Sequence, residues 1–244
     1  MALLEIRGVS KTFRTLRALD GVDVEVEAGS FHGLIGPNGS GKSTLLKAIA
    51  GAHFADSGTI VFDGRDITRA TPYERARAGL SLKFQITAVL PELSVYDNVL
   101  LATQSNGRLP SLLMSASRRT LDDEVEALLE RFRLIDRADD LAGELSHGQQ
   151  QWLEIAMALA LRPKLLLLDE PTGGMSPEER HVTGKLIEPI KPDCTLIIVE
   201  HDLHFIRDIC DRLTVLDQGK VLDQGDVETI QRSPKVQQVF TTRV

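Results

Sequence analysis

Apolar and polar positions alternate with a period of two over residues 3–9 and again in VDVEV at 22–26, which predicts half-buried strands at the start of the chain. SFHGLIG predicts a short buried strand running into glycine, GKSTLLKAIAG a short helix closed by Gly51, and SGTIVFDG a further strand between turns. From about residue 94 the period becomes helical. Ser94 can cap VYDNVLLAT, a polar loop follows around QSNGRLPS, and LDDEVEALLERF spaces its apolar residues three and four apart. Another capped helix begins in LSHGQQQW. After residue 163 strands and helices alternate through KLLLLDE, SPEERHVTGKLI, CTLIIVE and DLHFIRDIC, and RLTVLDQGKVLDQG predicts a hairpin turned at Gln218 and Gly219. The pattern therefore predicts an α/β fold: a mostly parallel sheet, antiparallel N-terminal strands, and a helical segment of about 86–162 inserted into a core of 1–85 and 163–244.

Composition narrows the class without naming a function. At 42% apolar and 26% charged residues, 244 residues suffice for one large α/β domain or two small ones. A net charge of −7 gives no overall basic field for nucleic acid or anionic lipid, although a local cationic pocket is compatible with it. Cys194 and Cys210 have no metal-binding spacing and read as buried reduced thiols, which fits a cytoplasmic protein. The N-terminus has no long apolar region of the kind a signal peptide needs. The longest apolar run, Ile155 to Leu161, falls far short of the roughly 18 residues that suggest a membrane span, so at a membrane another chain must supply the crossing.

Chemistry enters with GPNGSGKST. Gly36, Pro37, Asn38, Gly39, Ser40, Gly41, Lys42, Ser43 and Thr44 match the phosphate-loop pattern and lie between a predicted strand and a predicted helix. Glycines let successive N–H groups converge on phosphate, and the helix N-terminus adds partial positive charge. Lys42 reaches the β and γ phosphates in that pattern, and Ser43 places its hydroxyl on Mg²⁺. LLLLDEPT predicts a strand buried on both faces that delivers Asp169 to its carboxyl end, where ligands bind in such sheets. An Asp-Glu strand end is on its own more often a solvated terminus. Beside a phosphate loop, Asp169 is a candidate Mg²⁺ residue acting through hydration water, and Glu170 a candidate for polarising the water that attacks the γ-phosphate. Gln85, ending LSLKFQ, is placed to touch Mg²⁺ and that water, and His201, after TLIIVE, to contact the γ-phosphate.

LSHGQQQ poses a separate problem. Ser146 and Gln149 form a capping box, but capping does not explain Gly148, which weakens a helix by roughly 1 kcal/mol relative to alanine. Glycine there implies that another molecule's atoms approach the backbone closely. With these elements in this order, essentially the whole chain resembles the ATP-binding subunit of an ABC transporter. The resemblance implies ATP and Mg²⁺ as ligands and a head-to-tail pair of ATP-binding subunits, identical or not. It also implies that Ser146, Gly148 and Gln149 of one subunit close over the γ-phosphate bound by the other. Phe13 falls where an aromatic stacks on adenine, although a single early aromatic is as readily a core residue.

His147, where glycine is usual, and GGMSPEE after the Asp-Glu pair depart from the common family form and resemble the subgroup serving branched-chain amino acid and urea importers. The resemblance further implies integral membrane permease subunits docked near ITAVLPELSVYDN, a solute-binding receptor, no nucleic-acid partner, and a place on the cytoplasmic face of the membrane. Two other classes share much of this pattern: the ATPase of a lipid or lipopolysaccharide exporter, and a soluble ABC ATPase outside transport.

Overall fold

In a computed structural model of the chain, residues 1–83, 89–105 and 116–242 are described. The N-terminal strands β1 (Ala2–Phe13) and β2 (Leu16–Glu27) are antiparallel and longer than the strict alternation predicts. Register shifts between Ile6 and Val9 and again before Lys11 and Thr12 let pairing continue where the period breaks, with Gly8 left-handed at φ 58°. With β4 (Ser57–Phe62) and β5 (Arg65–Asp66) they form a sheet in the order β2-β1-β4-β5.

The second sheet runs β10-β9-β3-β8-β7-β6, built from β3 (Phe31–Ile35), β6 (Leu80–Lys83), β7 (Leu165–Asp169), β8 (Thr195–Val199), β9 (Arg212–Asp217) and β10 (Lys220–Asp226). Every pairing in it is parallel except β9 with β10, whose hairpin turns through Gln218 and Gly219 at φ 48° and 79°. Every residue of β3, β7 and β8 is buried, as an apolar run without alternation requires.

Two cores explain those runs. Leu165 and Leu167 face a cluster shared with α1 (Lys42–Ala50) and the N-terminal sheet. Leu166 and Leu168 face the opposite cluster, with Val99 of α3 (Val95–Ser105), Leu129 of α4 (Ala116–Arg131), Leu153 of α5 (His147–Ala160), Leu186 of α6 (Pro177–Ile187) and Ile206 of α7 (Leu203–Ile209). Each buried leucine contributes about 1.5–3 kcal/mol, so β7 is held from both sides. A buried ion pair, Lys83 Nζ to the Glu154 carboxylate at 2.9 Å, fastens α5 to the end of β6, and Gln151 accepts a further bond from Lys83.

Three helices lie outside the sequence expectations: α2 (Pro72–Arg77), α8 (Val227–Arg232) and α9 (Pro234–Thr242). From α2, the buried Arg75 donates to the carbonyls of Ala48 and Ile49, both at 2.6 Å, satisfying the carboxyl end of α1. Burial lowers its pKa to about 10, so it stays charged at neutral pH. Both cysteines are free and buried, and desolvation pushes the Cys194 thiol up to about 12. Among the described residues no helix is long and apolar enough to cross a membrane.

Candidate active site

Sheet register assembles the site. Leu34 of β3 lies opposite Val199 of β8, and Val199 lies opposite Asp169 of β7, so three carboxyl ends open on the same edge. The loop from Gly36 to Thr44 leaves β3 there and enters α1. Its close packing needs glycine at two points. A Cβ on Gly36 would sit 2.1 Å from the Leu216 carbonyl oxygen, and one on Gly41, at φ 108°, would sit 2.6 Å from that of Ala18. The β9–β10 hairpin braces the loop from outside, since Gly219 N–H donates to the Ser40 carbonyl at 2.9 Å.

Lys42 is only 8% exposed and donates to the Gly36 and Pro37 carbonyls at 2.8 and 3.0 Å. Burial lowers its pKa, while the nearby Glu170 and Asp169 carboxylates pull it back up. Asp169, 5% exposed, is raised, chiefly by burial and then by Glu170, against a hydrogen bond from the Ser43 hydroxyl and the charges of Lys47 and Lys42. Its Oδ1 is buried and accepts no hydrogen bond. A buried carboxylate with one bare oxygen, beside a serine hydroxyl, is an all-oxygen donor set that fits a hard divalent cation such as Mg²⁺.

Glu170 follows in a left-handed conformation at φ 49°. Such a conformation costs a non-glycine residue about 1–3 kcal/mol and persists only where surroundings enforce it. Here its N–H donates to the Val199 carbonyl at 2.9 Å and its carbonyl accepts from Gly173 at 3.1 Å. Glu200, fully buried at the end of β8, anchors the same turn: one carboxylate oxygen accepts from Thr172 N–H at 2.9 Å and from its hydroxyl at 2.6 Å. The other oxygen accepts from the His201 N–H at 3.3 Å. The His201 side chain stands at this edge, 68% exposed.

The α5 N-terminus has the capping box read from the sequence. Gln149 N–H donates to Ser146 Oγ at 3.3 Å, and Ser146 N–H donates to Gln149 Oε1 at 3.0 Å. These bonds close on each other and none reaches the phosphate loop. Gly148 has a neighbour within the chain: a Cβ there would meet Glu179 Oε1 at 2.8 Å. The sequence points to another molecule at this glycine, whereas in the structure the close approach comes from Glu179 of α6 in the same chain, because the two helix starts lie side by side. Phe13 is 38% exposed, with its ring edge-on to His53 at 5.2 Å and Lys11 Nζ 5.5 Å from its centroid, so it is a surface platform and not a core residue.

The chain thus combines a loop for phosphate, a carboxylate facing it across Ser43, and a separately capped helix start. The ABC transporter family profile matches residues 19–173. The chain belongs to the ABC transporter family.

It is 36% identical, over 98% of its length and 95% of the relative's, to a probable branched-chain amino acid transport ATP-binding protein LivG of Archaeoglobus fulgidus. A ribose import ATP-binding protein RbsA of Burkholderia mallei is 37% identical over 92% of this chain and 44% of its own. Among solved structures, the ADP conformation of an ATP-binding cassette of an ABC transporter superposes with TM-score 0.86 at 32% identity, covering 99% of both chains. A dimeric post-hydrolysis cassette bound to ADP and phosphate gives TM-score 0.80 at 26% identity over 92% of this chain and 98% of that one. This ABC chain is thus a nucleotide-binding ATPase subunit of a transporter.

Of the residues singled out in the sequence, the fold gathers the loop from Gly36 to Thr44 with Asp169 and Glu170, and sets His201 beside them through Glu200. Ser146, Gly148 and Gln149 form a second cluster on α5. Gln85 lies outside the described residues, as do Ile86, Thr87 and Ala88 of the segment expected to meet the permease. Glu200 and Thr172 escaped the sequence reading. The available signal was that Glu200 ends an apolar strand just as Asp169 does.

Proposed function

We propose that this ABC ATPase energises an importer of branched-chain amino acids, urea or a related small polar solute, with two ATP-binding subunits completing each other's nucleotide sites. The observation that carries the ATP chemistry is the Ser43–Asp169 pair with its bare carboxylate oxygen at the mouth of the phosphate loop. Lys42 binds the β and γ phosphates, exchanging its bonds to the Gly36 and Pro37 carbonyls for phosphate oxygens. Ser43, Asp169 and Gln85 would hold Mg²⁺, which when bound would supply charge neutralisation for the phosphates. Glu170 accepts a proton from the attacking water as its oxygen bonds to the γ-phosphorus and the bond to ADP breaks. His201 contacts the γ-phosphate, and Phe13 stacks on adenine.

Ser146, Gly148 and Gln149 present the start of α5 to the nucleotide of the second subunit. A helix start with spare N–H groups attracts an anion, and the chain's own loop already encloses its own phosphates. ATP then favours the closed pair, and ADP, lacking one phosphate, releases it; the equilibrium moves only by that difference in contacts. The helical segment 86–162 of this single ATP-binding domain carries the permease contact. Exposure of Leu90, Leu101 and Leu141 in that segment supports the reading. A receptor delivers the solute, and the assembly places the chain on the cytoplasmic face of the membrane.

Affinity purification from detergent-solubilised membranes, followed by ATPase assays in proteoliposomes with the copurified permease and receptor, tests the proposal. Branched-chain amino acids or urea should stimulate turnover. Copurification without integral membrane subunits, or stimulation by lipid alone, would overturn it in favour of a non-transport ATPase or an exporter.

A further inference from the structure

The two stretches that depart from the common family form meet in space. His147 Nε2 lies 3.0 Å from the Gly173 carbonyl oxygen and donates to it, which fixes a proton on that nitrogen. The ring packs over Gly174, where a Cβ would stand 3.2 Å from Nε2 and where φ is 76°. Gly173 N–H in turn donates to the Glu170 carbonyl at 3.1 Å, so one hydrogen bond and one tight turn separate His147 from the backbone of Glu170.

Further along, α5 and α6 start side by side. Gly148 faces Glu179, and one turn later Trp152 Nε1 donates to Thr183 Oγ1 at 2.8 Å. The Thr183 hydroxyl in turn donates to the Glu179 carbonyl at 2.8 Å. Glu179 is itself fixed: its other carboxylate oxygen accepts from Ser176 N–H at 2.8 Å, closing the box that starts α6. Ser176 N–H and the Ser176 hydroxyl, with His147 nearby, hold this carboxyl below its usual range.

We infer that His147 and Trp152 are positioning residues: His147 joins the start of α5 to the turn after Glu170, and Trp152 joins the same helix to α6, which follows that turn. Resting on the two-subunit reading above, the join makes one rigid piece of two parts with different duties. Ser146 serves the partner's nucleotide, whereas Glu170 serves the chain's own. Displacement of one is felt by the other, which couples the two nucleotide sites of the pair through each chain. His147 and the GGMS segment thus form one device, and a glycine at 147 could not make the bond.

The test uses the assembled transporter carrying His147→Ala, His147→Gln and Trp152→Phe, with kcat, KM and the Hill coefficient for ATP, alongside fluorescent-nucleotide affinity and melting temperature of the same proteins. Loss of a hydrogen bond that matters only in coupling should lower kcat about 3- to 10-fold and bring the Hill coefficient toward 1. Nucleotide affinity should stay within about twofold, and His147→Gln, whose amide can reach the same carbonyl, should recover most of kcat. Combining His147→Ala with Trp152→Phe should cost more than the product of the single losses.

Unchanged kcat and Hill coefficient in His147→Ala would overturn the inference. So would losses in which affinity falls with melting temperature and glutamine gives no recovery, because that pattern marks packing alone. A parallel Ser146→Ala complex separates this inference from its basis. If Ser146→Ala is inactive and His147→Ala is normal, only the coupling fails; if both turn over normally, the two-subunit site fails too.

Discussion

Replacing Gly148 by alanine sets the fold's demand on this position against the nucleotide's. The new methyl carbon would stand 2.8 Å from Glu179 Oε1 and 3.3 Å from its Cδ, so the carboxylate must move by several tenths of an ångström. Its partner oxygen holds Ser176 N–H at 2.8 Å, and weakening that box costs about 0.5–2 kcal/mol. Alanine gives back up to about 1 kcal/mol of helix propensity, less so close to the helix start. The two terms oppose each other, leaving a net change of about 1 kcal/mol or less, which for a protein of this size moves the melting temperature by about 2–4 °C. In the proposed two-subunit site the methyl group would have no such compensation, because it would intrude between the α5 N–H groups and the partner's γ-phosphate. Loss of a charged hydrogen bond there, about 1.5–3 kcal/mol, lowers ATPase activity of the assembled transporter by roughly 10- to 150-fold. Differential scanning fluorimetry and a coupled-enzyme ATPase assay on one preparation measure both. A melting point lowered by more than about 8 °C would mean that Glu179 alone explains the glycine, and activity within twofold of the parent would refute the nucleotide contact.

Two other outcomes follow from buried titratable groups. Because the Asp169 pKa is raised in the folded chain, its ionisation works against folding: stability is greatest below the ordinary carboxylate pKa and falls as pH rises through the raised value. Asp169→Asn should therefore melt higher than the parent at neutral pH without nucleotide, while losing the stabilisation by ATP that depends on Mg²⁺; a lower melting point, or Mg²⁺ dependence that survives, would contradict this. His32, buried on β3 with Nε2 2.8 Å from Thr214 Oγ1, has its pKa lowered from 6.5 to about 4, first by burial and then by Arg212. Stability is complete above pH 6.5 and should fall by about 3 kcal/mol as pH drops to 4, at about 1.4 kcal/mol per pKa unit. Urea unfolding at pH 7 and pH 4.5 should show His32→Gln losing less than the parent, and equal losses would refute the assignment.

What could be read from the sequence was whatever a local pattern dictates. Four leucines before Asp169 announce a strand buried on both faces, and the loop glycines, the capping serines at 94 and 146, and the Gln218-Gly219 turn each act within a few residues of themselves. The ends of β1 and β2 were hidden because bulges interrupt the alternation that marks a strand. Helix α2 is short, and its purpose lies in Arg75 reaching carbonyls of α1 more than twenty residues earlier. Glu200 holding Thr172, Trp152 reaching Thr183 and Glu179 filling the space at Gly148 are contacts between elements distant in the chain. No periodicity or propensity encodes them. Capping accounted for Ser146 and Gln149, and only the packed structure shows what stands against the glycine between them.

The central claim is that each ATP is completed by two chains, and the mass of Glu170→Gln in solution tests it most directly. With Glu170 neutral, ATP should bind through the phosphate loop without being consumed, so size-exclusion chromatography with light scattering should show the mass doubling in Mg-ATP and returning to that of one chain in ADP. Adding Ser146→Ala should abolish the doubling while nucleotide binding persists. A mass that never doubles under saturating ATP, or a pair that forms equally well without Ser146 or with ADP, would contradict the account.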